Sequence, residues 1–211
     1  MIRDYAIIRE SAARLAEAAN GTCSALGSAR VEQEPAFTDR MLGRIEHAME
    51  AFEVKNVKWT AKTLTDRGHK AQESEFGADF VGVLAINLPD YAVSKGFLAQ
   101  AKLIEPEESF PKREFERMRR QCDDMLTVSP DSYLFVYSLS GITVVPALAV
   151  VGSDHCNPHE LYSRSVSRFY EEHFSSFIGD REIHAPTIRV LEEARARVRA
   201  RSLLYLRAGS V

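Results

Sequence analysis

The sequence predicts an α/β fold in which a mixed central sheet is flanked by helices, with further helices added at both ends. Three observations carry that prediction. Apolar residues recur at helical spacing near both termini. A nearly continuous apolar run, Phe80 to Leu88, is bounded by Pro89-Asp90 and followed by a second extended stretch. An amphipathic helix then precedes two more strand-like segments.

The elements follow in order. Ile2 to Ala19 places Tyr5, Ile8, Ala12, Leu15 and Ala19 on one stripe, with Asn20-Gly21 as the stop. A weakly patterned linker covers residues 22–30. A second helix is expected from Pro35 to Phe52, where Phe37, Met41, Ile45 and Met49 are spaced by four and Pro35 suits a first turn. Val57 to Leu64 reads as extended, and a polar loop runs from Thr65 to Glu75. Phe80 to Leu88 suits a strand covered on both faces, and Phe97 to Ile104 returns beside it.

Pro111 to Leu126 is helical, with Phe115, Met118, Cys122 and Met125 inward and Arg113, Glu116, Arg117 and Arg120 largely outward. Tyr133 to Ser138 and Ile142 to Val151 are strand candidates, the second interrupted or placed at an edge by Pro146. Two helical patterns close the chain, residues 159–178 with Val166, Phe169, Tyr170, Phe174 and Phe177, and residues 187–206, rich in arginine. The expected organisation is an N-terminal helix and linker over 1–30, an α/β core over 31–152 and a helical extension over 153–211.

Composition narrows the setting. The chain is 45% hydrophobic and 27% charged, as suits a globular protein, and its formal net charge is −3, so nucleic-acid contact would rest on local patches. Three scattered cysteines, Cys23, Cys122 and Cys156, point to reduced thiols and a cytoplasmic setting. Arg3, Asp4, Arg9 and Glu10 interrupt the N-terminus, which reads neither as a signal peptide nor as a spanning helix, so no membrane partner is expected. His155, Cys156 and His159 suggest zinc at first sight, but no partner cluster has suitable spacing, and a polar loop is expected there.

The chemistry concentrates in two segments. Phe76-Gly77-Ala78-Asp79-Phe80 leads an acid into one strand, and Gln100 and Lys102 sit two apart on the next, hence on one face. Paired strands would bring Asp79 beside them. In these residues and their order the chain resembles the PD-(D/E)XK, restriction-endonuclease-like nucleases, in the branch with Gln-x-Lys for Glu-x-Lys, as in Mrr-type enzymes. The likeness spans about Glu34 to Ala149.

That resemblance implies a core of helix, three-strand meander, helix and last strand, and Mg²⁺-dependent (or Mn²⁺-dependent) hydrolysis of DNA in restriction or phage defence. Asp79 matches the metal-binding aspartate, Gln100 the second carboxylate position and Lys102 the catalytic lysine. An amide oxygen can coordinate a hard cation but brings no charge. A glutamate must therefore complete the site: Glu34 ahead of the second helix, or Glu75 before the Gly-x-Asp turn, with Glu32 and Glu73 in the same two segments. Lys102 would orient the attacking water or stabilise charge in the transition state.

Lys112, Arg113, Arg117 and Arg120 are candidate phosphate contacts, whereas the arginines at 195, 197, 199 and 201 suit surface or oligomer contacts. With no separate DNA-reading domain apparent, an activating or specificity partner and a homo-oligomer are expected. A catalytically silent nuclease fold used for binding or assembly is the alternative.

Overall fold

The computed structural model describes residues 2–27, 33–65, 78–185 and 200–211. It is an α/β architecture, with one mixed eight-stranded sheet between two layers of helices. The elements are α1 (Tyr5–Asn20), α2 (Ser24–Gly27), α3 (Glu34–Met49), β1 (Glu53–Val54), β2 (Val57–Thr65), β3 (Phe80–Leu88), β4 (Tyr91–Leu103), α4 (Lys112–Val128), β5 (Ser132–Ser138), β6 (Gly141–Pro146), α5 (Ala147–Val151), β7 (Arg164–Ser165), α6 (Val166–Phe174) and β8 (Ser202–Ser210). The strands lie in the order β1-β2-β8-β3-β4-β5-β6-β7.

α1, α3 and α6 cover one face, and α4 and α5 the other. On α1, Asp4 caps the first turn by accepting from the Ala6 N–H at 2.9 Å. The stripe of Ile8, Ala12, Leu15 and Ala19 is buried as expected, but Tyr5 is half exposed, its hydroxyl donating to Glu171. α4 buries Phe115, Met118, Cys122 and Met125, the stripe read from spacing alone. β3 and β4 form the expected hairpin, paired from Phe80↔Ala99 to Leu88↔Tyr91 around Pro89-Asp90.

Four expectations are corrected. The strand expected through Val151 stops at Pro146, which lacks a ladder donor, and α5 begins there. The helix expected over residues 159–178 is shortened to Val166–Phe174, started by the Ser165 cap and ended near the positive φ of Ser176, so Phe177 is exposed rather than inward. Trp59, which the sequence suggests as core packing beside the site, is buried but packs on Phe174 toward the opposite end of β2 from Asp79.

The largest correction is at the C-terminus, where residues 202–210 are a strand rather than the end of a helix. β8 inserts between β2 and β3, antiparallel to the first and parallel to the second. The meander implied by the resemblance is therefore interrupted, since β2 does not pair with β3. Leu203 and Tyr205 enter the core beneath α4, and Leu204, Leu206 and Ala208 the core beneath α3. A short run apolar on both sides has no period of its own, so only two-sided cover decides between helix and strand.

Lys95 is a buried cation on β4. Its ammonium donates to the carbonyls of His173 and Ile178, at the end of α6 and in the turn beyond it. Burial pulls its pKa down to about 8 despite the nearby Asp131 carboxylate. The unfolded chain keeps that proton up to the ordinary value of 10.5, so between pH 8 and 10.5 it binds more protons than the fold, and the Lys95 contribution to stability rises with pH. The buried Cys23 and Cys122 thiols, pushed up to about 11 and about 12, work in the opposite direction. The informative quantity is therefore the difference between wild type and Lys95→Met. Denaturant titrations from pH 8 to pH 10 should show wild type gaining on the variant by about 2–3 kcal/mol. Parallel curves would show that Lys95 does not titrate in this range.

Candidate functional site

The site arises because β4 outruns β3. Their pairing ends at Phe80↔Ala99, but β4 continues to Leu103 along β5. Strand alternation turns the backbone groups of residues 98, 100 and 102 toward β5, and those of 99, 101 and 103 toward the side β3 has left. Two carboxylates take up the vacated positions. The Ala101 N–H donates to Asp79 Oδ2 at 2.8 Å, and the Leu103 N–H donates to Glu34 Oε1 at 3.2 Å. Lys102 Nζ donates to the other Glu34 oxygen at 3.0 Å.

Asp79 is held from both sides. Its N–H donates to the Ala99 carbonyl at 2.8 Å, and its carbonyl accepts from the Ser202 N–H of β8 at 3.0 Å. Glu34 occupies the first turn of α3, before Pro35, where the helix N-terminus favours a negative charge. Gln100 is buried, with Nε2 donating weakly to the Ala101 carbonyl at 3.4 Å. Gln100 and Lys102 share the α4 side of the sheet, and the Lys102 charge is felt at Cys122 of α4. Asp79, Lys102 and Glu34 thus converge, with Gln100 two residues before Lys102 on the same strand, while Glu75, with Glu32 and Glu73, lies outside the described residues.

Desolvation dominates the electrostatics of Asp79 and pushes its pKa up to about 6. The Ala101 N–H and the Lys102 charge oppose that rise, Glu34 adds to it, and Arg201 opposes it more weakly. A divalent cation would reverse this penalty by supplying the missing positive charge.

Three further participants were not expected from the sequence. Arg201, expected to serve the surface or an oligomer, instead donates to Asp39 Oδ2 of α3 at 2.7 Å, within the same chain and close enough to influence Asp79. The Ser202 hydroxyl reaches Asp39 Oδ1 at 3.2 Å, tying the start of β8 to α3. Tyr137 of β5 shares a hydrogen bond with Thr38 at 3.0 Å and stacks on Phe37, its ring centroid 4.2 Å away. Burial drives its phenol pKa far up, and the Asp79 and Glu34 charges add to the shift. The spacing of Tyr133, Phe135 and Tyr137 was the available signal, since a buried phenol needs a partner.

The β4–α4–β5 crossover starts α4 at the sheet end that carries Asp79. Lys112, Arg113, Arg117 and Arg120 are exposed on it, interleaved with Glu114 and Glu116. At the other loop in question, His159 Nε2 lies 3.0 Å from the Ile104 carbonyl, and residues 154–157 lead into a short 3₁₀ turn, Pro158–Glu160.

Asp79, Glu34, the Gln100 amide and the Ala101 carbonyl make an oxygen-only donor set, which suits a hard cation such as Mg²⁺. Among the described residues no group of three or more His, Cys, Asp or Glu side chains gathers, so two carboxylates are the charge available. Fold and site together define the class: a mixed-sheet α/β protein with two carboxylates and an ammonium where β4 runs past the end of its pairing with β3. No family model, curated protein or solved structure matches the chain. No helix among the described residues is long and apolar enough to cross a membrane.

Proposed function

We propose that the protein is a metal-dependent endonuclease with a restriction-endonuclease-like core, hydrolysing DNA phosphodiester bonds in a cytoplasmic restriction or phage-defence setting. The observation that carries this reading is the capping of Ala101 and Leu103 by Asp79 and Glu34, which sets two carboxylates from distant parts of the chain beside Lys102. Asp79, Glu34, the Gln100 amide and the Ala101 carbonyl would hold Mg²⁺, with Mn²⁺ as a substitute. When bound, the ion supplies a Lewis acid and a water of lowered pKa.

The chain's own residues do the rest. Asp79, fixed through backbone bonds to β4 and β8, keeps its carboxylate in place at no further ordering cost. Lys102 gives one of its three donors to Glu34, and the other two suit a phosphate oxygen or the attacking water. Lys112 and Arg113 stand at the same sheet end, where a phosphate backbone can meet them.

Plasmid cleavage tests the reading. Wild type should nick plasmid DNA with Mg²⁺ and not with chelator, and Asp79→Ala should lose at least about 100-fold of that rate. Metal-independent cleavage, or an Asp79→Ala variant as active as wild type, would refute it. One observation favours the second reading, a silent nuclease fold used for assembly: both Glu34 oxygens already accept hydrogen bonds, and position 100 brings no charge. That reading expects no cleavage and no metal-dependent rise in melting temperature.

A further inference from the structure

A second basic feature lies away from Asp79, between α1 and α3. A groove of about 520 Å³ is lined there by Arg14, Glu17, Arg40, Gly43, Arg44 and His47. Three guanidiniums face a single carboxylate, in a chain whose formal net charge is −3. Arg40, Arg44 and His47 stand four and three residues apart on α3 and so form one stripe along its outer side. Gly43 leaves its floor open, since a Cβ there would meet nothing within 4 Å.

Several other surface cations are held by carboxylates: Lys55 by Asp4, Arg119 by Asp154, Arg168 by Glu172 and Arg201 by Asp39. In the groove Arg14 is fixed, its Nε donating to the Ala48 carbonyl at 3.2 Å and its guanidinium 5.5 Å from the Phe52 ring centroid. Arg40, Arg44 and His47 have no hydrogen bond or ion pair to any described residue. Three guanidiniums against one carboxylate, around a cavity with an open floor, are matched by a ligand that carries several acceptor oxygens. Guanidinium forks fit phosphate in this way, two donors to two oxygens.

We propose that the α1–α3 groove is a phosphate-binding site, with Arg40 and Arg44 as its principal contacts and Arg14 as a fixed wall. The phosphates come either from a nucleic-acid strand or from a free oligophosphate such as a nucleotide. The site is separate from the Asp79 cluster, because Arg40 begins roughly 9 Å along α3 from Glu34. It does not depend on the nuclease reading.

The test uses the full chain in chelator, so that metal chemistry at Asp79 plays no part. Binding of a short labelled single-stranded DNA is followed by fluorescence anisotropy over a range of salt, and tripolyphosphate binding by thermal shift. Arg40→Ala/Arg44→Ala is compared with wild type and with Lys58→Ala/Arg168→Ala, which removes equal charge elsewhere. Alanine is the strongest helix former and both arginines are exposed, so the variant should fold.

The groove variant should bind at least about ten-fold more weakly while the control stays near wild type. The salt slope for the single-stranded DNA should fall by about 1.4. Loss of DNA binding alone identifies a strand as the source, and loss of tripolyphosphate stabilisation identifies a compact ligand. If wild type binds neither probe, or if both double variants lose equally, the proposal is overturned. Cleavage by wild type is scored separately, so the groove and the nuclease reading fail on different measurements.

Discussion

Lys102→Ala is expected to slow DNA cleavage by about 10²–10³-fold, the usual cost of removing one preorganised group that stabilises transition-state charge. Its melting temperature should barely move. Among the described residues Lys102 has one ion-pair partner, Glu34, which is itself about one-third exposed and keeps the Leu103 N–H when the ammonium is gone. Loss of a pair that water can reach costs on the order of 1 kcal/mol or less. A large kinetic effect with a small thermal effect separates chemistry from scaffolding. Equal rates in wild type and Lys102→Ala would remove Lys102 from the mechanism. Glu34→Gln gives the matching control, since the amide oxygen still accepts from Leu103 but brings no charge. If Glu34 completes the metal site, that variant should need more Mg²⁺ for half-maximal rate.

Phe97→Ala should destabilise the fold by about 3–5 kcal/mol, the range for truncating a fully buried aromatic ring. Phe97 is the hub of the core beneath α6. Its ring lies edge-on to Phe169 at 4.9 Å and to His173 at 5.2 Å, parallel to Phe135 at 6.1 Å, and edge-on to Phe80 and Tyr133. It also occupies the space that Gly82 leaves open on β3, where a Cβ would come within 2.3 Å of the ring. Alanine would leave a void bounded by rigid rings on one side and a glycine backbone on the other, with little able to collapse inward. Denaturant unfolding measures the loss, and a cost below about 1.5 kcal/mol would show that the cluster repacks.

Legibility varied with the kind of signal. The inward stripe of α4 and the β3–β4 hairpin were readable because period and turn chemistry are local properties. Asp79, Gln100 and Lys102 were readable as a set because alternation places 100 and 102 on one face and the hairpin brings 79 opposite. Glu34 entered only through resemblance, being 45 residues from Asp79, and its contact with Lys102 spans 68 positions of chain. Arg201 was read only as a surface or oligomer residue and Tyr137 was not singled out, because each acts through a partner on another element, Asp39 and Thr38. Leu203 to Leu206 misled, since the same apolar run serves a buried helix or a buried strand.

The sequence by itself determined the α/β class, the main helices, the hairpin and the faces that Gln100 and Lys102 share. Periodicity and turn residues encode these within a few positions of the chain. Only the tertiary structure decided that β8 lies between β2 and β3, that β4 outruns β3, and that Asp79 and Glu34 cap the β4 backbone that β3 leaves unpaired. These outcomes depend on pairing between segments more than a hundred residues apart, or on where a neighbouring strand ends. No local pattern specifies them, because the free energy that selects them comes from two-sided burial and from satisfying backbone groups left without a partner.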